Sequence, residues 1–276
     1  MKKILFVTLF AFAATALADG LSRFFANDSV QRARPEAFVL QPESRHFLHA
    51  LEGDSAQARE ALIAGIRARA ALARAIRDWE KLSIEEQIPH LREVFALEVA
   101  AMGITSPELV IDAKAIPGRA AFFEFDVTKP GPGRVLLNPD ELRGMHKFAS
   151  LALLIHETRH SAQFQRAFAE PNSVQGRAYR AAFEKQFDGT VKSFCDFLTL
   201  NNEFEAFSFG NWVVGRLTNW QVDMPDMGTF ASQYDGQGRL KIDLPQLAES
   251  TQGATLTEKF NEAERTQCEL LGACEK

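Results

Sequence analysis

Cysteine is scarce in this sequence. Cys195, Cys268 and Cys274 are the only three in 276 residues, and none sits in a close-spaced pair, so a cysteine-built zinc module is excluded. No cysteine stands directly after the first apolar run, which argues against anchoring through a lipidated N-terminal cysteine. That run, Ile4 to Leu17, falls short of a membrane span and carries no polar stop, so no stable span is expected once it is removed. A dense basic tract is also missing. With 31 Lys and Arg against 36 Asp and Glu, the formal charge is −5, and a nucleic-acid partner would lack the positive surface it needs. Neither an internal repeat nor a low-complexity linker appears, which favours one mixed domain with a helical N-terminal extension.

The chain begins with the three parts of an export signal. Lys2 and Lys3 precede the apolar run, and Ala16-Leu17-Ala18 forms a small-x-small cleavage site before Asp19. Residues 1–18 are therefore expected to be removed, giving a periplasmic or secreted protein of 258 residues with a charge near −7, because two lysines leave. That length can bury a full core as one large domain or two small ones. In an exported protein Cys268 and Cys274 could form a terminal disulfide, with Gly272 permitting the bend. On one unbroken helix, however, residues six apart point in different directions, and the pairing stays open. Cys195, within Phe194-Cys195-Asp196-Phe197-Leu198, reads as a buried thiol with no local base to activate it.

Residues 21–50 contain Pro35 and Pro42 and show no lasting period, as for an arm packed on the domain. One helix is expected over 54–79, with a stripe of Ala58, Leu62, Ile66, Ala70 and Ala73 and a basic flank. That stripe is mostly alanine, which suits packing on a core better than insertion in lipid. Ser83 and Glu86 resemble a capping box for a helix over 84–102, which Gly103 would end despite Pro89. Residues 121–127 alternate as a strand does, 129–133 must turn, and 134–137 read as a second strand, so a hairpin is expected. Helices follow over 145–168, 174–187, most of 193–217 and part of 246–270, with a loop over 220–238. The divisions are 1–18, a helical region over 19–110, and a second part over 111–276.

The strongest motif is His156-Glu157-Thr158-Arg159-His160. On a helix, residues four apart share a face, so both imidazoles could reach one ion. Glu157, turned about a third of the way round, could reach a water in the ion's open position. Zinc lowers that water's pKa and the carboxylate takes its proton. The plain alternative is a core helix whose histidines are satisfied by hydrogen bonds. A third ligand would come from Asn202-Glu203-Phe204-Glu205-Ala206, where two acids lie in an apolar stretch and would be costly to bury without a partner. Glu203 and Glu205 cannot both face one point, being about 200° apart on a helix.

These segments together resemble the zincin metallopeptidases, in the Glu-zincin branch, over about a third of the chain. The resemblance implies a mainly helical α+β domain with a small β-sheet before the motif helix. It also implies a Zn2+ ion held by His156, His160 and Glu203, with Glu205 as the alternative, and Glu157 as the catalytic base. A peptide or protein substrate would lie along the strand at 121–127 or 134–137. Phe207 stands where the family often has an aspartate, so the usual carboxylate behind a ligand histidine is missing there. Glu205, Asp196 or Asp188 could replace it.

Other residues have weaker claims. His146 is out of phase with His156 and reads as a surface or supporting residue, and His46, His49 and His90 have no evident partners. Tyr179, Tyr234, Arg159 and Arg177 could each stabilise an oxyanion, although packing or surface roles suit them as well. A zinc-dependent peptidase or amidase of the cell envelope is thus expected, against a non-catalytic binding or scaffold protein with the same fold, or a helical protein without metal. For the export signal, mass spectrometry of the exported protein should find Asp19 at its N-terminus; an intact Met1 start in the cytoplasm would contradict it.

Overall fold

Two prolines govern the first stretch of the computed structural model, which describes residues 25–191, 193–222, 233–250 and 253–270. Helix α1 (Asp28–Arg32) is capped by the Asn27 side chain, and Pro35 and Pro42 each open a single 3-10 turn. Between those turns Phe38, Val39 and Leu40 are buried. The Val39 N–H donates to Thr199 O at 2.8 Å, and Phe38 bridges to Leu200. The aperiodic arm is therefore part of the core, fixed by backbone pairing that leaves no periodic trace in sequence. The expected export signal, residues 1–18, lies outside the described residues.

The single helix expected over 54–79 is two helices, α2 (Arg45–Ala68) and α3 (Ala70–Arg77). They part at Arg69, which is extended at φ −100° and ψ 95° and pairs with Glu93 at 3.1 Å. Ala58, Leu62 and Ile66 are buried as the stripe requires, but beyond the break Leu72 and Ile76 are buried while Ala70 is exposed. The larger side chains win the core because each buries more apolar area than alanine. Helix α4 (Ile84–Met102) has both bonds of the Ser83–Glu86 capping box and ends on Gly103 at φ 64°.

The sheet has three strands: β1 (Glu108–Ile111), β2 (Ala121–Glu124) and β3 (Arg134–Leu137). β2 and β3 form the expected antiparallel hairpin, with β2 shorter than 121–127. β1 was not legible: it is half-exposed without alternation, and pairing in parallel with β3 makes it a strand. The strand order is β1-β3-β2. Gly133 turns the loop before β3 at φ 72°, where a Cβ would lie 2.5 Å from the Phe123 ring.

Asn138 then caps the short α5 (Pro139–Arg143), and α6 (Ala149–Ala169) enters the middle of the molecule. Every residue from Ala149 to Phe164 is buried. Such a helix needs neighbours on all sides: it packs on α4, on β2 and β3, and on the later α7 (Val174–Asp188) and α9 (Asn201–Thr218). The stretch over 193–217 is broken into α8 (Phe194–Leu198) and α9 at Thr199–Leu200, where the arm docks. The last helical stretch is likewise divided into α10 (Leu244–Glu249) and α11 (Leu256–Leu270).

The result is a mainly helical α+β fold. One hydrophobic cluster runs from Ala26 to Phe260 and joins both sides of residue 110. Among the described residues no helix is long and apolar enough to cross a membrane. Cys195 is a buried thiol, and Cys268 is disulfide-bonded; Cys274, its expected partner, lies outside the described residues.

The crossing of α6 and α9 turns on Gly210, where an added Cβ would sit 3.6 Å from Ala152 O. Gly210→Ala should fit and retain or raise stability, by up to about 1 kcal/mol from helix propensity. Gly210→Val should destabilise by about 1–3 kcal/mol as the helices are pushed apart. Urea unfolding of both variants checks this; a Val variant as stable as wild type would contradict the spacing argument.

Candidate metal centre

Helical spacing places His156 and His160 on one face of α6, with ring centroids 4.5 Å apart and planes nearly perpendicular at 86°. The first turn of α9 brings Glu203 against them. The two Nε2 atoms are 2.9 Å apart. Glu203 Oε2 lies 3.2 Å from His156 Nε2, and Oε1 lies 3.3 Å from His160 Nε2. A tetrahedral ion with bonds of about 2.1 Å holds its ligand atoms about 3.4 Å apart. The two imidazole nitrogens stand closer than that and each meets a different Glu203 oxygen, while one ligand atom from each residue lies within 4.8 Å of the others, which one ion can span after small side-chain shifts. Among the described residues this is the group of His, Cys, Asp and Glu side chains placed to hold a metal ion.

Electrostatics inside the cluster are strong because nothing dilutes them. Burial opposes ionisation of Glu203, yet the His160 and His156 rings overcome it and hold the carboxyl well below its usual range. Burial also opposes charge on His160, but Glu203 and then Glu157 lift its pKa to about 9. A cation entering the cluster would displace that proton, so affinity should weaken as pH falls.

Glu157 points to the β2 side of the same helix. Burial raises its carboxyl pKa, the two histidines pull it back, and a backbone hydrogen bond from Phe123 helps to hold the charged form. All four side chains are enclosed: His156 is 1% exposed, Glu203 2%, and Glu157 and His160 4% each. Phe207 packs on His156 at 4.2 Å between centroids, while Phe123 and Phe183 flank His160 at 6.3 and 6.1 Å.

Glu205 faces a different partner. Its carboxylate takes two bonds from Arg159 Nε, at 3.0 and 2.9 Å, and accepts from Ser55 Oγ at 2.6 Å. It reaches the cluster indirectly, through Gln163, whose Nε2 donates to Glu205 Oε2. Of the three acids weighed as supports, it is the one near a ligand histidine. Asp196 accepts from Asn27 N at 2.8 Å and from Gln31, and Asp188 from Thr190. His156 Nδ1 is buried without a hydrogen-bond partner.

The oxyanion candidates are engaged elsewhere. Arg159 is bound to Glu205 and lies over Phe209. Tyr179 is buried against Phe47 and hydrogen-bonded with Arg159. Tyr234 meets Ser208 Oγ at 3.0 Å, and Arg177 donates to Asn172 O. His146 is exposed ahead of α6, where its Nδ1 accepts from Phe148 N. His46 and His49 are exposed too, and His90 lies near Trp79.

Two glutamines were missed. Gln163 Oε1 meets His160 Nδ1 at 2.8 Å, and Gln186 of α7 donates to Glu203 Oε1 while accepting from Asn202 Nδ2. A signal existed for Gln163, which follows His156 by seven and His160 by three and so shares their face. Nothing local marks Gln186. No family model matches the chain, and comparison with curated proteins and with solved structures gave no match either.

Glu203→Gln should sharply weaken divalent-metal retention, because it replaces a charged oxygen ligand with a neutral one. Glu205→Gln should reduce metal affinity by at most about 10–100-fold, while destabilising the fold by about 3–5 kcal/mol because Arg159 loses its buried counter-charge. Chelator competition and urea unfolding measure the two effects. Loss of metal from Glu205→Gln with retention in Glu203→Gln would reverse the assignment.

Proposed function

We propose that the chain is a zinc-dependent hydrolase of peptide or amide bonds in the cell envelope, akin in its site to the Glu-zincin metallopeptidases. The observation that carries this reading is the convergence of His156, His160 and Glu203 with Glu157 alongside. Two imidazoles and one carboxylate are a donor set that suits zinc and leaves a coordination position open. Charge balance agrees with it. Arg159 neutralises Glu205, which leaves the buried Glu157 and Glu203 beside two histidines, and a divalent cation would offset both acids.

Bound there, zinc would polarise a scissile carbonyl and lower the pKa of a water beside Glu157. Glu157 then takes the proton and returns it to the leaving amine, a role suited to a carboxyl whose burial has raised its basicity. A peptide or protein substrate bound as an added strand would pair with β2, the outer strand of the hairpin, since β3 is flanked on both edges. The periplasmic or secreted location follows from the export signal.

One observation favours a second reading, a scaffold protein whose metal serves stability alone. The three ligand residues and Glu157 are all enclosed, which leaves a peptide little direct access to the ion's open position. Turnover separates the two. Zinc-loaded protein should cleave members of a broad peptide library, and Glu157→Gln should keep its zinc while losing about 10²–10⁴ in rate. Full zinc occupancy with no cleavage of any library peptide would favour the scaffold.

A further inference from the structure

Gln163 is 1% exposed, and every polar atom of its amide is used. Nε2 donates to Asn202 O at 2.9 Å and to Glu205 Oε2. Both of those groups only accept, which fixes which way round the amide sits. Its Oε1 must therefore accept, and the atom it meets is His160 Nδ1, at 2.8 Å. The proton on Nδ1 is thereby pinned, and Nε2 of the neutral ring is left as the lone-pair donor, aimed at His156 Nε2 and Glu203. Asn202 is the residue before Glu203, so one amide ties a ligand on α6 to the backbone beside the ligand on α9. The other end of the chain of bonds is the Arg159–Glu205 pair, which is itself held by Ser55 of α2.

We propose that Gln163 is the positioning residue of this metal centre, fixing the tautomer and angle of His160 through the bond to its Nδ1. The inference rests on the metal reading above. It assigns to a neutral amide the work that a carboxylate does behind many ligand histidines. An amide is the better choice here, because a carboxylate at this point would face Glu205 directly.

Two substitutions separate positioning from mere packing. Gln163→Met retains the length and removes every hydrogen bond. Gln163→Glu removes both donor bonds and adds repulsion with Glu205, but keeps an acceptor on His160 Nδ1. Zinc affinity is measured by chelator competition, the ligand field by the visible spectrum of the cobalt-substituted protein, and stability by urea unfolding of the metal-free form. Gln163→Met should lose about 10–100-fold in zinc affinity and shift the cobalt bands. Gln163→Glu should bind zinc close to the wild-type value, though it is the less stable of the two. The two orders should thus be opposite. Equal loss of zinc in both variants would overturn the proposal, since packing would then explain it, and so would wild-type affinity in both. Failure of the unsubstituted protein to bind zinc would instead remove the metal reading itself, and this inference with it.

Discussion

The fit of α6 against α9 is the constraint on which the rest depends. Both helices carry ionisable groups into a region with almost no water, where an unmatched charge costs several kcal/mol. Each group therefore needs a partner on the opposite helix. Glu203 meets His156 and His160, and Glu205 meets Arg159. A rotation of either helix would break both sets together, so the two pairs fix one register. The close approach that makes this possible falls at Gly210 and at the small Ala206, which is fully buried.

Around this crossing the other elements act as walls. β2 closes the Glu157 side with the Phe123 ring, α7 supplies Phe183 and Gln186, and α2 brings Ser55 to Glu205. On α4 the fully buried Glu98 faces Thr158 and Arg159, and burial pushes its carboxyl well above the usual range. A cleft of about 600 Å³ opens between α4 and α6 and is lined by Arg159, Gln163 and Tyr179. Its lining includes Arg159 and Gln163 but not His156, His160, Glu203 or Glu157, which stay enclosed.

The supports are mostly amides. Gln163 and Gln186 hold His160 and Glu203 from two different helices, and Asn202 joins them. In a site already crowded with Glu157, Glu203 and Glu205, a neutral group that both donates and accepts can satisfy neighbours of either kind without adding charge. His156 differs: it rests on Phe207, and its Nδ1 is buried without a hydrogen-bond partner.

Local pattern alone determined much of this. The four-residue spacing of His156 and His160, the Ser83–Glu86 cap and the hairpin around residues 129–133 are all short-range features, and local backbone geometry has few solutions. The choice of Glu203 over Glu205 came from the resemblance and not from local spacing, and the structure places Glu203 at the histidines. Tertiary contact decided the rest. β1 is a strand because β3 lies beside it; the helix over 54–79 breaks at Arg69, where Glu93 pairs with it; and Ala37 to Leu40 are core where the backbone pairs with Thr199 and Leu200. Gln186 lies 17 residues from the Glu203 it binds, and Ser55 lies 150 from Glu205. Such partners are set by which helix faces meet, a long-range packing outcome that no local period encodes.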